Sequence, residues 1–332
     1  MQQPWSATQA QSTHLLPIPH FQYGFTTNPL IHAIPLTHVS LSDKVLGVHK
    51  VSSRTAHPLV SPPASSESQL TQDGSQPGSC AISDLPPPEL AWEAFYPKGS
   101  INPSAEIPGG FGFYLAGTKK FSDGLSDGAT EVVMSYRIML ERDWEWVKGG
   151  KLPGIFGGIG DLAYGCTGGR KDNRDGCFDV RLMWRSKGAG ELYIYLPHTK
   201  QNKDRLLAVP PLSLENADYG FSVGRGAFSI PVGRWVSIAL RIKLNTVDTQ
   251  DGRHSIISYP YLLLLLLLTG EVELWIDGAS VISITGLTLR NSEEGRLKGM
   301  HFQTFFGGHK PDWASPKDQR AWFADVTGVI IR

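Results

Sequence analysis

The chain has 332 residues, 41% of them hydrophobic, with 31 basic and 31 acidic side chains and no net charge at pH 7. That length and apolar content suffice for one large packed domain or two ordinary ones. The charge balance weakens any general case for binding nucleic acid or a membrane surface, while leaving room for a local basic cleft. The 36 glycines and 9 tryptophans favour turns, strands and flat aromatic surfaces over a helical bundle.

Residues 1–88 are rich in Ser, Pro, Gln and His and keep no sustained period. Stretches such as "SPPASSESQLTQDGSQPGS" and "LPPPEL" have the composition of linker. A disordered N-terminal region is expected here, with short apolar pieces such as "HAIPLTHVSL" able to pack locally. The opening "MQQPWSATQAQSTHLLPIPH" has no basic start followed by an apolar run, so it does not read as an ordinary secretory signal.

From Trp92 the texture changes. "TEVVMSYRIML", "GCFDVRLMWR", "ELYIYLP", "RWVSIALRIKL", "GEVELWIDG", "GMHFQTFFGG" and "RAWFADVTGVIIR" alternate apolar and polar residues between Gly, Pro, Asn and Asp. So many short strands predict an all-β domain over 89–332, a β-sandwich or jelly roll, with no helix of respectable length. Within it, "ERDWEW" offers Glu141, Asp143 and Glu145 as a carboxylate set for glycoside hydrolysis, or more simply a polar strand end. "GGKLPGIFGG", residues 149–158, reads as a glycine loop around a single cation, Lys151, which is either solvated or held in place for a purpose. Cys166 and Cys177 bracket the polar loop "CTGGRKDNRDGC", which looks like a hairpin tip closed by a disulfide and implies an oxidising compartment. A zinc site would want four closely spaced ligands, and no partner His or Cys lies nearby, so no metal is expected.

The strand pair after the cysteines carries the most chemistry. Phe178, Val180, Leu182 and Trp184 form one face of the first strand, with Asp179, Arg181 and Arg185 on the other; Leu192, Ile194 and Leu196 oppose Glu191, Tyr193 and Tyr195 on the second. The link "SKGAG" predicts a hairpin in which Arg185 pairs with Glu191, Met183 with Tyr193 and Arg181 with Tyr195. Arg181, Tyr193 and Tyr195 then share the face away from the core, either as a solvated sheet surface or as a platform for sugar.

Further on, "TVDTQDGRHSIISYPYLLLLLLLTG" separates two strands that would otherwise make a simple hairpin. Its seven leucines, Leu262 to Leu268, are too few to span a bilayer, which needs ~20 apolar residues. Leucine codons are pyrimidine-rich, and such a tract before codons readable as ACAGG resembles a translated intron end, so residues 247–269 are read as a gene-model artefact. Near the end, "HFQTFFGG" places His301, Gln303 and Phe305 on one strand face, His301 and Gln303 being either cleft-lining or structural, and "FFGGHKPDWASP" forms a shaped loop.

"GGKLPG", the Cys-bounded loop, "RLMWR", "YIY" and "FFGG", in that order, resemble polysaccharide lyase family 14, which includes alginate and glucuronate-polymer lyases. The likeness covers about residues 92–332. It implies a β-jelly roll with a substrate cleft on a concave sheet, an extracellular enzyme without cofactor, and an acidic polysaccharide as substrate. It also implies that Lys151, Arg181, Tyr193 and Tyr195 are the working residues. A monomer without nucleic-acid or membrane partners is expected. Family members often carry a small hydroxyl residue where this chain has Asp179; an acid there repels a uronate unless a nearby cation pairs with it.

Such residue types suit β-elimination. The proton at C5 of a uronate becomes acidic only when the neighbouring carboxylate is neutralised, a task for Arg181 and Lys151. A tyrosine can act as base if cations lower its pKa, and a neutral phenol can protonate the departing O4; neutral Lys151 is the alternative base. Two other readings remain at this level: a carbohydrate-binding module on the same fold, and hydrolysis by the acidic residues.

Overall fold

Alternation along the chain is resolved by stacking two sheets so that every apolar face meets another. The computed structural model describes residues 14–65, 85–167, 172–216, 219–247 and 269–332. In chain order the strands are β1 (Tyr23–Thr26), β2 (Leu36–His38), β3 (Val48–His49), β4 (Leu59–Val60), β5 (Ala91–Tyr96), β6 (Phe111–Leu115), β7 (Glu131–Leu140), β8 (Gly149–Ile159) and β9 (Cys177–Arg185). They continue with β10 (Ala189–Tyr195), β11 (Leu214–Asn216), β12 (Gly220–Ser229), β13 (Trp235–Lys243), β14 (Gly270–Ile276), β15 (Ala279–Leu287), β16 (Gly295–Phe306) and β17 (Gln319–Ile330). Two short helices, α1 (Lys119–Asp127) and α2 (Lys200–Leu207), join them. Neither is long and apolar enough to cross a membrane.

One sheet runs β15-β14-β13-β7-β17-β1-β2, with β5 on β17 and β4 on β5; the other runs β11-β12-β10-β9-β8-β16-β6-β3. The core lies between them, where Val180, Leu182, Trp184, Leu192 and Ile194 from the second sheet meet Met134, Tyr136 and Ile138 from the first. Each such burial contributes roughly 1.5–3 kcal/mol. The expected all-β sandwich is the fold observed. α1 and α2 lie outside the strand pattern: each is short, and its apolar contribution to the core is one or two residues, Phe121 and Leu125 in α1 and Leu206 in α2. A helical period needs more turns than that to be visible.

The expectation of a structureless stretch up to residue 88 does not hold for residues 14–65. β1 pairs with β17 from Tyr23↔Ile330 to Thr26↔Thr327, and β3 joins β6. Phe25 and Leu46 sit in the main core, while Leu16 packs on Val133, Ala239, Trp275 and Val329 on the outer face of the first sheet. This strap borrows its order from surfaces contributed by distant strands, so its own sequence carries no period. Residues 1–13 and 66–84 lie outside the described residues, as does the leucine run.

β13 and β14, which flank that run, pair directly from Ile238↔Ile276 to Lys243↔Glu271, and the Lys243 Nζ stands 2.7 Å from a Glu271 carboxylate oxygen. The strand pairing of this hairpin is thus complete among the described residues. Replacing residues 248–268 with two glycines is expected to leave the melting temperature within a few degrees of the full chain; a large loss on thermal denaturation would show the segment to be structural.

Candidate active site

The stretch "GGKLPGIFGG" is not a loop but the first ten residues of β8, in the middle of the second sheet between β9 and β16. Its glycines are there for close approach. A Cβ on Gly154 would stand 1.9 Å from the Val180 carbonyl oxygen, and one on Gly150 would strike the Trp184 ring at 2.0 Å. Pro153 is the extra residue of a bulge, since Leu152 pairs with Leu182 and Gly154 with Arg181. The bulge restarts the alternation beyond Lys151, so Lys151 points outward while Leu152 and Ile155 enter the core.

The β9–β10 hairpin forms with a register two residues from the expected one. Glu191 faces Met183, Tyr193 faces Arg181 and Tyr195 faces Asp179. The turn is centred on Lys187 rather than Gly188, with Lys187 at φ 61° and Gly188 at φ 76°. A shift of two leaves every side chain on its predicted face. Arg185 and Glu191 still meet, as a diagonal pair at 2.5 Å.

Lys151, Arg181, Tyr193 and Tyr195 consequently line one cleft of about 1180 Å³ across the outer face of the second sheet, together with His301 and Gln303. The Lys151 Nζ lies 3.4 Å above the centre of the Tyr193 ring and 5.5 Å from that of Tyr195. It is buried and has no hydrogen-bond partner among the described residues. Burial, reinforced by Arg181 and Arg185, pushes its pKa well below the ordinary lysine value, against the pull of Asp179 and Glu191. Arg181 donates from Nη2 to the Gln303 carbonyl at 2.7 Å and from Nη1 to its side-chain oxygen at 3.2 Å, which fixes the guanidinium plane. Burial raises both phenols, Tyr193 to about 12 and Tyr195 further still.

Asp179 does not line the cleft. It is buried behind His301, whose Nδ1 lies 2.8 Å from its Oδ2. Burial and the positive charge of Arg181 lower the His301 pKa despite that carboxylate, which favours the neutral ring with its Nδ1 facing Asp179. The acid expected to repel an anionic sugar is thus covered by an imidazole and stands in the field of Arg181. Glu191 is likewise enclosed, by Arg185, by Ser222 at 2.6 Å and by Arg225 at 2.7 Å. Burial works against its charge, but these donors outweigh it and hold its pKa below the usual carboxylate range.

Glu141, Asp143 and Glu145 are not in the cleft. Glu141 accepts from the Arg320 backbone amide and Asp143 pairs with Lys317, so two of the three carboxylates proposed for hydrolysis are engaged in contacts away from the cleft. Sequence reasoning missed Arg174, whose guanidinium lies 5.0 Å over the Tyr195 ring, because nothing marks it within a polar loop. It also missed Tyr114, stacked on His301 at 4.4 Å.

Cys166 and Cys177 are joined by a disulfide, and they share one buried cluster with Met183, Tyr193 and Tyr195. The cross-link therefore braces the tyrosine wall as well as closing its loop. Replacing both cysteines with serine is expected to cost about 2–3 kcal/mol, since the loop spans 11 residues. Chemical denaturation of the reduced and oxidised protein measures this directly; equal midpoints would refute it.

The fold is thus a two-sheet β-sandwich with a cleft on the outer face of one sheet, lined by Lys151, Arg181, Tyr193 and Tyr195. The sequence profile of the family described as Polysaccharide lyase 14 matches residues 88–260 and 267–326. The marine alginate lyase of that family from Aplysia kurodai is 31% identical, with 73% of this chain and 83% of that one covered and a TM-score of 0.58. Alginate lyase vAL-1 from Chlorella virus shares the fold at 20% identity, covering 73% of this chain and 85% of its own, with a TM-score of 0.52. No curated protein matches the sequence. The chain belongs to polysaccharide lyase family 14 and is a polysaccharide lyase.

Proposed function

We propose that the protein cleaves a 1,4-linked uronic acid polymer, alginate or glucuronan, by β-elimination in the cleft of the second sheet. The observation that carries this is the buried, unpartnered amine of Lys151 beside the fixed guanidinium of Arg181 and two protonated tyrosines. Arg181, held by Gln303, takes the carboxylate of the sugar being cleaved and stabilises the enediolate that forms when C5 loses its proton. Lys151 in its neutral form removes that proton. The C5 electron pair then forms the C4–C5 double bond, and O4 leaves with a proton from the Tyr193 or Tyr195 phenol.

Tyrosine is the less favoured base. Ionising a phenol of pKa about 12 at pH 7 costs about 7 kcal/mol, whereas the lysine is already displaced toward its neutral state. The same raised pKa makes each tyrosine a proton donor at every working pH. The protein is proposed to act outside the cell, in keeping with the disulfide.

Incubation with alginate, its mannuronate- and guluronate-rich fractions, and glucuronan, followed in the near ultraviolet, tests the reading. One of these polymers should give an absorbing, unsaturated product. New reducing ends without absorbance would point to hydrolysis instead. Binding without either would leave a module that only holds sugar.

A further inference from the structure

Residues 14–65 lie outside the part of the chain that matches the family, yet Lys50 and Ser52 line the cleft. They arrive there because β3 extends the cleft sheet, with Val48 opposite Leu115 and His49 opposite Tyr114. His49 is pinned at both ring nitrogens, Nδ1 to the Gly47 carbonyl and Nε2 to the Tyr164 hydroxyl, each at 2.9 Å. Beyond it the chain is tied again, by the Ser52 amide to Gly112 at 2.7 Å and by Arg54 to the Pro103 and Glu106 carbonyls at 2.8 and 3.1 Å.

Lys50 sits between these two anchors at φ 49°. That left-handed conformation is unfavourable for a residue with a Cβ, and it persists only where the surroundings impose it. The result is an exposed ammonium, 4.4 Å over the Tyr164 ring, with no ion pair among the described residues. Tyr164 meets Tyr114 edge-on at 4.7 Å, and Tyr114 lies against His301. Tyr114, which lines the cleft, and Tyr164 beside it thus lead from His301 to the cation contributed by the strap.

We propose that Lys50, with the rings of Tyr114 and Tyr164, forms a distal subsite that takes a further uronate residue of the polymer, beyond the sugars at the cleaved bond. Its carboxylate pairs with the Lys50 ammonium, and its ring lies against the aromatic surface. The inference rests on the uronate-lyase reading above and adds to it a reason for chain-length preference.

The test is a series of oligouronates of increasing length, assayed with wild type, Lys50→Ala and Lys50→Glu, with binding measured in parallel by calorimetry. Lys50 is exposed and alanine meets the same backbone cost, so both variants should fold. In wild type, kcat/KM and affinity rise at the length that first reaches Lys50. In Lys50→Ala the ratio of long- to short-chain kcat/KM falls about tenfold, in line with the loss of one charge-assisted contact, and further in Lys50→Glu. Identical length dependence in all three proteins overturns the subsite and leaves the lyase reading intact. Lys50-dependent binding without turnover in wild type overturns the lyase reading and keeps the subsite. Neither binding nor turnover overturns both.

Discussion

Lys151→Ala is expected to lower kcat by about three orders of magnitude, the usual worth of a well-placed general base. The informative companion is Lys151→Arg. Arginine keeps the positive charge but cannot shed its proton near neutrality, so it would restore activity if Lys151 served only to neutralise the carboxylate. The proposed mechanism expects it to stay as inactive as alanine. The pH profile follows from the same assignment. The lysine pKa is lowered, so kcat/KM rises with pH as the neutral amine appears, and the tyrosines, both raised, impose no fall in the ordinary range.

Stability follows pH in the same direction as activity. In the unfolded chain Lys151 holds its proton to its ordinary, higher pKa, so above the folded pKa the unfolded state binds more protons, and stability rises with pH until the unfolded value is passed. At neutral pH the buried amine costs the fold energy. Lys151→Met, which fills the same space without a polar atom, is expected to stabilise by about 1–3 kcal/mol while abolishing turnover. Thermal denaturation and the lyase assay on one preparation check both halves. A Lys151→Met protein that is less stable than wild type would contradict the assignment of an unpaired, desolvated amine.

The second large effect concerns the strap. Truncation before residue 66 removes Phe25 and Leu46 from the main core and strips Leu16 from the face made by Val133, Ala239, Trp275 and Val329. It also leaves β17 without β1 on its flank. Phe25 is fully buried and packs edge-on against Phe121 with ring centroids 5.2 Å apart. Phe25→Ala alone should cost about 3–5 kcal/mol, a large share of the roughly 5–15 kcal/mol that holds a domain together. The truncated chain is therefore expected to show no cooperative unfolding transition. A truncated protein melting with the full chain would mean that residues 66–332 are self-sufficient and the strap is an addition.

The sequence made the sandwich legible wherever one face of a strand is buried and the other is not, as in β9 and β10, where Val180, Leu182, Leu192 and Ile194 alternate with Arg181, Tyr193 and Tyr195. That pattern survives a register shift of two, so the cleft residues share one face whichever partners the hairpin gives them. β8 was hidden because glycine carries no hydropathy signal. Its glycines answer to Trp184 and the Val180 carbonyl, neighbours that only the folded sheet supplies. The strap was hidden for a related reason, since its order comes from contacts more than 100 residues away, such as Thr26 to Thr327. Asp179 reads as a misplaced charge in the sequence because its partner, His301, comes from β16.

The most direct test of the central claim is turnover of a uronate polymer deuterated at C5, scored for unsaturated ends and reducing ends together. Removal of the C5 proton by Lys151 predicts one unsaturated end for each bond broken and slower cleavage of the deuterated polymer in single turnover. Bond cleavage that yields reducing ends with saturated sugars, at the same rate for both polymers, would contradict it.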